Sequence, residues 1–254
     1  MYPALPTINL IAALAILAFS TACFAQNSLP TLALAPFSDS DGDTARPALH
    51  PAWRLTGLPA KLKVPIAKFE VTSAGGEAVL QISTDKSYGV LTHAWQGPAP
   101  AQLAWRWRVT QPVANANLST KAGDDAALKV CVMFDQATAD IPFLQRAALA
   151  LARTATGQDL PSATLCYVWD ARSPIGTSGA NPYSARVRYI VLNGPGNPSG
   201  QWQTQQRRVA DDFQALFGAE SASTPPIIAI AVGADSDNTQ GQSLAYLSQL
   251  RWLP

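Results

Sequence analysis

Turn-forming residues cut this chain into short pieces. Its 254 residues include twenty prolines and sixteen glycines, and the clusters AGGE (74–77), GPAP (97–100) and GPGNPSG (194–200) separate its apolar runs. Such clusters supply the fixed or positive φ angles that turns need. The intervening runs read as strands at Ile66–Thr72, Ala78–Ser83, Val90–Ala94, Ala101–Thr110, Ala126–Asp135, Ala163–Trp169, Val187–Leu192, Pro226–Gly233 and Ser243–Leu253. Many short strands with frequent breaks favour an all-β architecture over a helical one.

Two segments depart from this pattern. Asp140 is placed to cap a helix reaching Thr156, with Pro142 in its first turn, Gly157 beyond its end, and an apolar stripe of Leu144, Ala147, Ala148 and Leu151. A shorter helix is expected from Ala210 to Phe217, stopped by Gly218. The expectation is an all-β fold, a jelly-roll-type β-sandwich with two helical insertions.

The amino terminus reads as a targeting segment. LIAALAILAF (10–19) has the length of a signal-peptide apolar region, followed by small residues and a cleavage point after Ala25, although residues 1–9 carry no Lys or Arg. Residues 1–25 are therefore expected to be removed, 26–35 to be a linker and 36–254 to form one domain. Cys23 offers the alternative of a lipid anchor. The expected location is periplasmic or secreted. A formal charge of +1, with no run of like charge, leaves no basic stripe for nucleic acid. The chain is expected to be a monomer without a membrane span.

After cleavage two cysteines remain, Cys131 in LKVCVMF and Cys166 in ATLCYVW. In an oxidising compartment they pair if adjacent strands place them opposite each other. Otherwise each is a small buried apolar residue.

LAWRWRV (103–109) carries the clearest two-sided pattern. Side chains alternate along a strand, so Leu103, Trp105, Trp107 and Val109 face the core while Arg106 and Arg108 share the opposite face. Guanidinium groups on a sheet face call for planar acceptors, and AGDDA (122–126) and GADSDNTQG (233–241) supply carboxylates. The candidate ligand-binding residues are Arg106, Arg108, Asp124, Asp125, Trp169, Asp170, Asp235, Asp237 and Asn238, with Trp169 as a ring that stacks on a sugar. The same arginines also suit salt bridges between strands, and the same aspartates suit turns. Asp235, Asp237 and Asn238 suggest a calcium site, though the spacing is not that of an EF-hand. DSDGDT (39–44) reads as a solvated acidic loop. Catalytic residues are not assigned, because the chain has two histidines, no GxSxG and no ExDxxE.

LAWRWRV, AGDDAALKVCVMFD, LPSATLCYVWD, QRRVADDFQALFG and GADSDNT, in that order, resemble the exported bacterial family termed domain of unknown function 3047, over roughly residues 36–253. Cys131 and Cys166 depart from that family, in which aromatic or aliphatic residues are more usual there. The order APFS, PAWRL, AVLQIST, AWRWRV and a closing strand after an Asp-rich loop is similar to jelly-roll carbohydrate-binding modules. The fold analogy implies non-catalytic binding of a glycan or similar polar ligand. The alternatives are a carbohydrate-active hydrolase using the Asp clusters and a purely structural envelope protein.

Overall fold

The computed structural model describes residues 33–39 and 47–254. The expected signal segment, Cys23, most of the linker and most of the acidic loop 39–44 lie outside the described residues.

Among the described residues twelve strands form the fold: β1 (Trp53–Thr56), β2 (Lys68–Ala74), β3 (Glu77–Asp85), β4 (Tyr88–Gly97), β5 (Gln102–Gln111), β6 (Ala126–Phe134), β7 (Ala163–Trp169), β8 (Ser178–Asn181), β9 (Ser184–Asn193), β10 (Gln203–Arg207), β11 (Ile227–Asp235) and β12 (Gln242–Leu253). They make a seven-stranded sheet in the order β1-β4-β11-β6-β7-β9-β8 and a five-stranded sheet in the order β10-β5-β12-β3-β2. Successive strands β3 to β6 alternate between the sheets, as do β10 to β12, which wraps the chain as a jelly-roll-type sandwich. The all-β expectation holds, with two helices inserted: α1 (Phe143–Thr156) and α2 (Val209–Phe217).

Alternation along β5 sets the core. Trp105 and Trp107 are 1% and 0% exposed and lie between the sheets. Their rings pack on each other at 5.4 Å, on Tyr167 at 5.2 Å and on Trp169 at 5.9 Å. Phe213 and Phe217 of α2 are buried in the same core, with Phe213 packed 4.6 Å from Phe134. The α2 end is also tied by polar contacts, since Asp212 accepts from the Tyr167 hydroxyl at 2.8 Å and from the Arg207 guanidinium.

A second apolar cluster covers the outward face of the larger sheet. It includes Cys131, Cys166, Val168, Tyr189, Val191 and Ala231, with Leu118 from the β5–β6 connection packed on it. Cys131 and Cys166 are direct partners in the β6–β7 register and are joined by a disulfide.

The α1 expectation needs correction at its start and along its stripe. Asp140 lies in a preceding 3-10 turn and Pro142 occupies the N-cap, without a side-chain cap. The expected stripe does not face the core: Leu144 and Leu151 are 78% and 71% exposed, and the buried residue of the helix is Leu149. The helix rests on the sheet by its narrow Leu149 side, which leaves the wider apolar side outward.

Candidate functional site

The expected polar site is divided between the two outer faces of the sandwich. Arg106 and Arg108 alternate with the core tryptophans and so project from the outward face of the five-stranded sheet. Lys129 alternates with Val130 and Val132, which point into the core, so it projects from the outward face of the seven-stranded sheet beside Asp235. The ion pairs expected between the arginines and the GDD or DSDNT carboxylates therefore do not form. The acid nearest Arg106 is Glu77, at 4.0 Å.

The arginines are instead held by aromatic rings. Tyr246 of β12 is the register partner of Arg108, and the Arg108 guanidinium lies 4.3 Å from its ring centroid. On the other side β10 pairs Gln203 with Trp107, which brings Trp202 opposite Arg108. The Trp202 centroid is 4.9 Å from the Arg108 guanidinium and 5.3 Å from that of Arg106. This is cation–π stacking, which holds a guanidinium flat without neutralising it. Arg108 has a buried Nε without a hydrogen-bond partner among the described residues. Beside this row lies an open groove of about 360 Å³, lined by Gly75, Glu77, Val79, Arg106, Trp202 and Ser248. Glu77 forms its rim and accepts from Gln249 Nε2 at 3.0 Å.

Trp202 and Tyr246 were not singled out from the sequence. The signal for Trp202 was present: an indole within QWQTQQRR, outside any apolar run, is not a core residue by pattern. Nothing in the local sequence shows that it meets Arg108, because that contact depends on which strand borders β5.

The aspartates form a separate network at the start of β6 and the end of β11. Asp235 accepts from the Ala126 backbone N–H at 2.7 Å and from Lys129 Nζ at 2.6 Å. Asp125 accepts from the backbone and side-chain amides of Asn238, both at 3.2 Å, from the Thr239 backbone N–H at 2.6 Å and from the Thr239 hydroxyl. Asp124 accepts from Asn181 Nδ2 at 2.6 Å, and the Tyr183 hydroxyl donates to Asn238 at 2.8 Å. These bonds fasten the segment before β6 to the β11–β12 loop and to the β8–β9 turn. Asp237 keeps one buried oxygen without a partner among the described residues.

Burial dominates the electrostatics here. It pushes the Asp235 carboxyl up to about 6 against the pull of Lys129. It also raises Asp124 and Asp237, and Asp125 adds its like charge to both. Burial works to lower the Lys129 ammonium, but Asp235, Tyr88 and Asp124 outweigh it and hold the group above its ordinary value. Lys129 thus supplies the network's internal cation. Among the described residues no group of three or more His, Cys, Asp or Glu side chains is gathered as for a metal ion.

Trp169 and Asp170 also differ from expectation. Trp169 is 5% exposed and packs edge-on against Trp107, because it shares the inward parity of Leu165 and Tyr167. It offers no face to a sugar. Asp170 is 1% exposed, and one of its oxygens accepts from the Ser173 backbone N–H at 2.7 Å. Its role is in the turn after β7.

Among solved structures, the endoglucanase 3 of Trichoderma harzianum, from family GH12, aligns with a TM-score of 0.40 and 11% identity over 86% of this chain and 92% of its own. The xyloglucanase domain of NopAA, a type three effector from Sinorhizobium fredii solved with cellobiose, aligns with a TM-score of 0.41 and 7% identity over 78% and 91% of the two chains. The catalytic domain of Humicola grisea Cel12A, solved with a soaked thio-cellotetraose, aligns with a TM-score of 0.35 and 9% identity over 87% and 97%. No curated protein matches the chain. Residues 51–251, from the turn before β1 to the end of β12, match the family described as protein of unknown function (DUF3047), and the chain belongs to that family.

Proposed function

We propose that this chain is an exported, non-catalytic binding protein for a glycan or similar polar ligand, received on the outward face of the five-stranded sheet. The observation that carries the reading is the row Trp202–Arg108–Tyr246, in which a guanidinium lies 4.9 Å and 4.3 Å from two ring centroids and its buried Nε has no hydrogen-bond partner among the described residues. Fixed donors beside half-buried rings suit a ligand rich in hydroxyl and carboxylate oxygens. The groove beside Arg106 gives such a ligand a place to lie. Export is supported by the apolar run 10–19 and by the Cys131–Cys166 disulfide, which suits an oxidising compartment.

The test is glycan-array binding of the purified chain, with and without calcium, beside the variant Arg108→Met. Binding that Arg108→Met abolishes supports the reading. An empty array, or equal binding by the variant, removes it. Mass spectrometry of the exported chain is expected to find Gln26 first.

A hydrolytic reading rests on Asp237, whose buried Oδ1 has no partner among the described residues and lies among carboxyls raised by burial. It is the weaker reading, because Asp125 and Asp235 are spent on backbone and lysine donors. Release of reducing ends from a polysaccharide panel, lost in Asp237→Asn, would reverse that order.

A further inference from the structure

The outward side of α1 is an exposed apolar feature that the binding face does not use. Nine of its fourteen residues are Phe, Leu or Ala, and it contains no acid. Phe143, Leu144 and Leu151 are 70%, 78% and 71% exposed. Contiguous exposed apolar surface of this kind marks an interaction site. The surface continues beside the helix into a groove of about 470 Å³, walled by Leu144, Ala148, Ala152, Leu160 and Val187.

The charges around this face are mainly positive. Arg146 and Arg153, seven residues apart, fall on one flank of the helix, and Arg146 stacks over the Phe143 ring at 5.6 Å. At the other end Lys61 Nζ donates to the Ala155 carbonyl at 3.0 Å, which brings a third cation to the helix, followed by an exposed Leu62 and then Lys63. The acids nearby are Asp140, before the helix, and Asp159, after it and 3.6 Å from Arg153. Four cations against two acids leave the margin positive.

We infer that α1 is a membrane-surface element, which lays Phe143, Leu144 and Leu151 into the interface of an anionic bilayer while Arg146, Lys61 and Lys63 meet lipid phosphates. An interfacial helix has this composition, with Phe and Leu on one side and Arg or Lys beside them. Charge complementarity selects lipid over a second copy of this chain, whose own α1 margin would bring like charge. Among the described residues no helix is long and apolar enough to cross a membrane.

The test is co-sedimentation of the purified chain with phosphatidylcholine vesicles, with and without phosphatidylglycerol. Binding is expected with phosphatidylglycerol, and about tenfold weaker binding with phosphatidylcholine alone. The double substitution Leu144→Glu with Leu151→Glu, at exposed positions, is expected to abolish binding while circular dichroism stays unchanged. Lys61→Gln with Lys63→Gln is expected to weaken binding only where phosphatidylglycerol is present. No vesicle binding, or equal binding by the glutamate variant, would overturn the inference. A dimer in solution that Leu144→Glu dissociates, without vesicle binding, would assign the face to self-association instead.

Discussion

The Arg108 guanidinium lies 4.3 Å from the ring centroid of Tyr246, its cross-strand partner on β12. Its Nε is buried without a hydrogen-bond partner among the described residues. Removing Arg108 therefore frees an unsatisfied donor at the same time as it removes a stack. Such a stack contributes roughly 0.5–1 kcal/mol near a surface, and losing an unsatisfied group offsets part of that. Arg108→Met is expected to change stability by less than about 1 kcal/mol in a urea titration. A loss above about 3 kcal/mol would make the row a structural tie and not a ligand platform.

The two core tryptophans are expected to differ on conservative replacement. Trp107 Nε1 donates to Asn193 Oδ1 at 2.7 Å, whereas Trp105 Nε1 is buried without a partner among the described residues. Either change to Ala should cost roughly 3–5 kcal/mol. On change to Phe, Trp107 loses a hydrogen bond and Trp105 does not. Trp107→Phe should therefore cost about 1 kcal/mol more than Trp105→Phe. Equal costs would mean that Gln205, which also donates to Asn193 Oδ1, fully compensates.

Patterning within a strand was legible, and neighbours across strands were not. Ala163–Trp169 is one strand in sequence and structure alike, and the inward Trp105 and outward Arg106 follow from alternation alone. The strands without a pattern were missed: β1 has four residues, β8 is SGAN, and β10 is QTQQR, with no apolar residue to mark a face. β10 is an edge strand, and its loss from the reading also hid Trp202. The pairing of Arg106 with aspartates failed for a related reason. Charge complementarity says what an arginine needs, but sheet membership decides what it meets, and β5 and β6 lie in different sheets. The α1 stripe shows the limit of periodicity, which finds an apolar face without saying whether protein covers it.

The Cys131–Cys166 disulfide joins strands already paired, across a sequence separation of 35 residues. On the chain-entropy account, closing a loop of that size in the unfolded chain contributes roughly 3–4 kcal/mol. Urea titration with and without reductant is expected to show a loss of that order, matched by a Cys131→Ala, Cys166→Ala variant. A reduced chain as stable as the oxidised one would show that the ladder alone holds β6 to β7.

Two groups of carboxyls act with opposite sign on stability. Burial raises Asp124, Asp235 and Asp237, and Asp235 reaches about 6 from an ordinary 3.8. A carboxyl raised by folding binds protons more tightly in the folded chain. Its contribution is complete below the unfolded value and is lost as pH rises through the folded one. For Asp235 that loss runs from about pH 3.8 to about pH 6, and Asp124 and Asp237 act in the same direction. Glu220 behaves in the other direction. Burial works to raise it, but Arg186 and Arg188 outweigh burial and hold it below its ordinary 4.5. Its contribution is present above that value and lost as pH falls below it. The two effects together place a stability maximum in mildly acidic solution and not at neutrality. Thermal melts across pH should show this maximum. Asp237→Asn should flatten the fall toward neutral pH, and Glu220→Gln should remove the rise on its acid side. A melting temperature that climbs steadily from about pH 4 to pH 7 would show that Lys129 holds Asp235 ionised throughout, and that burial does not govern the cluster.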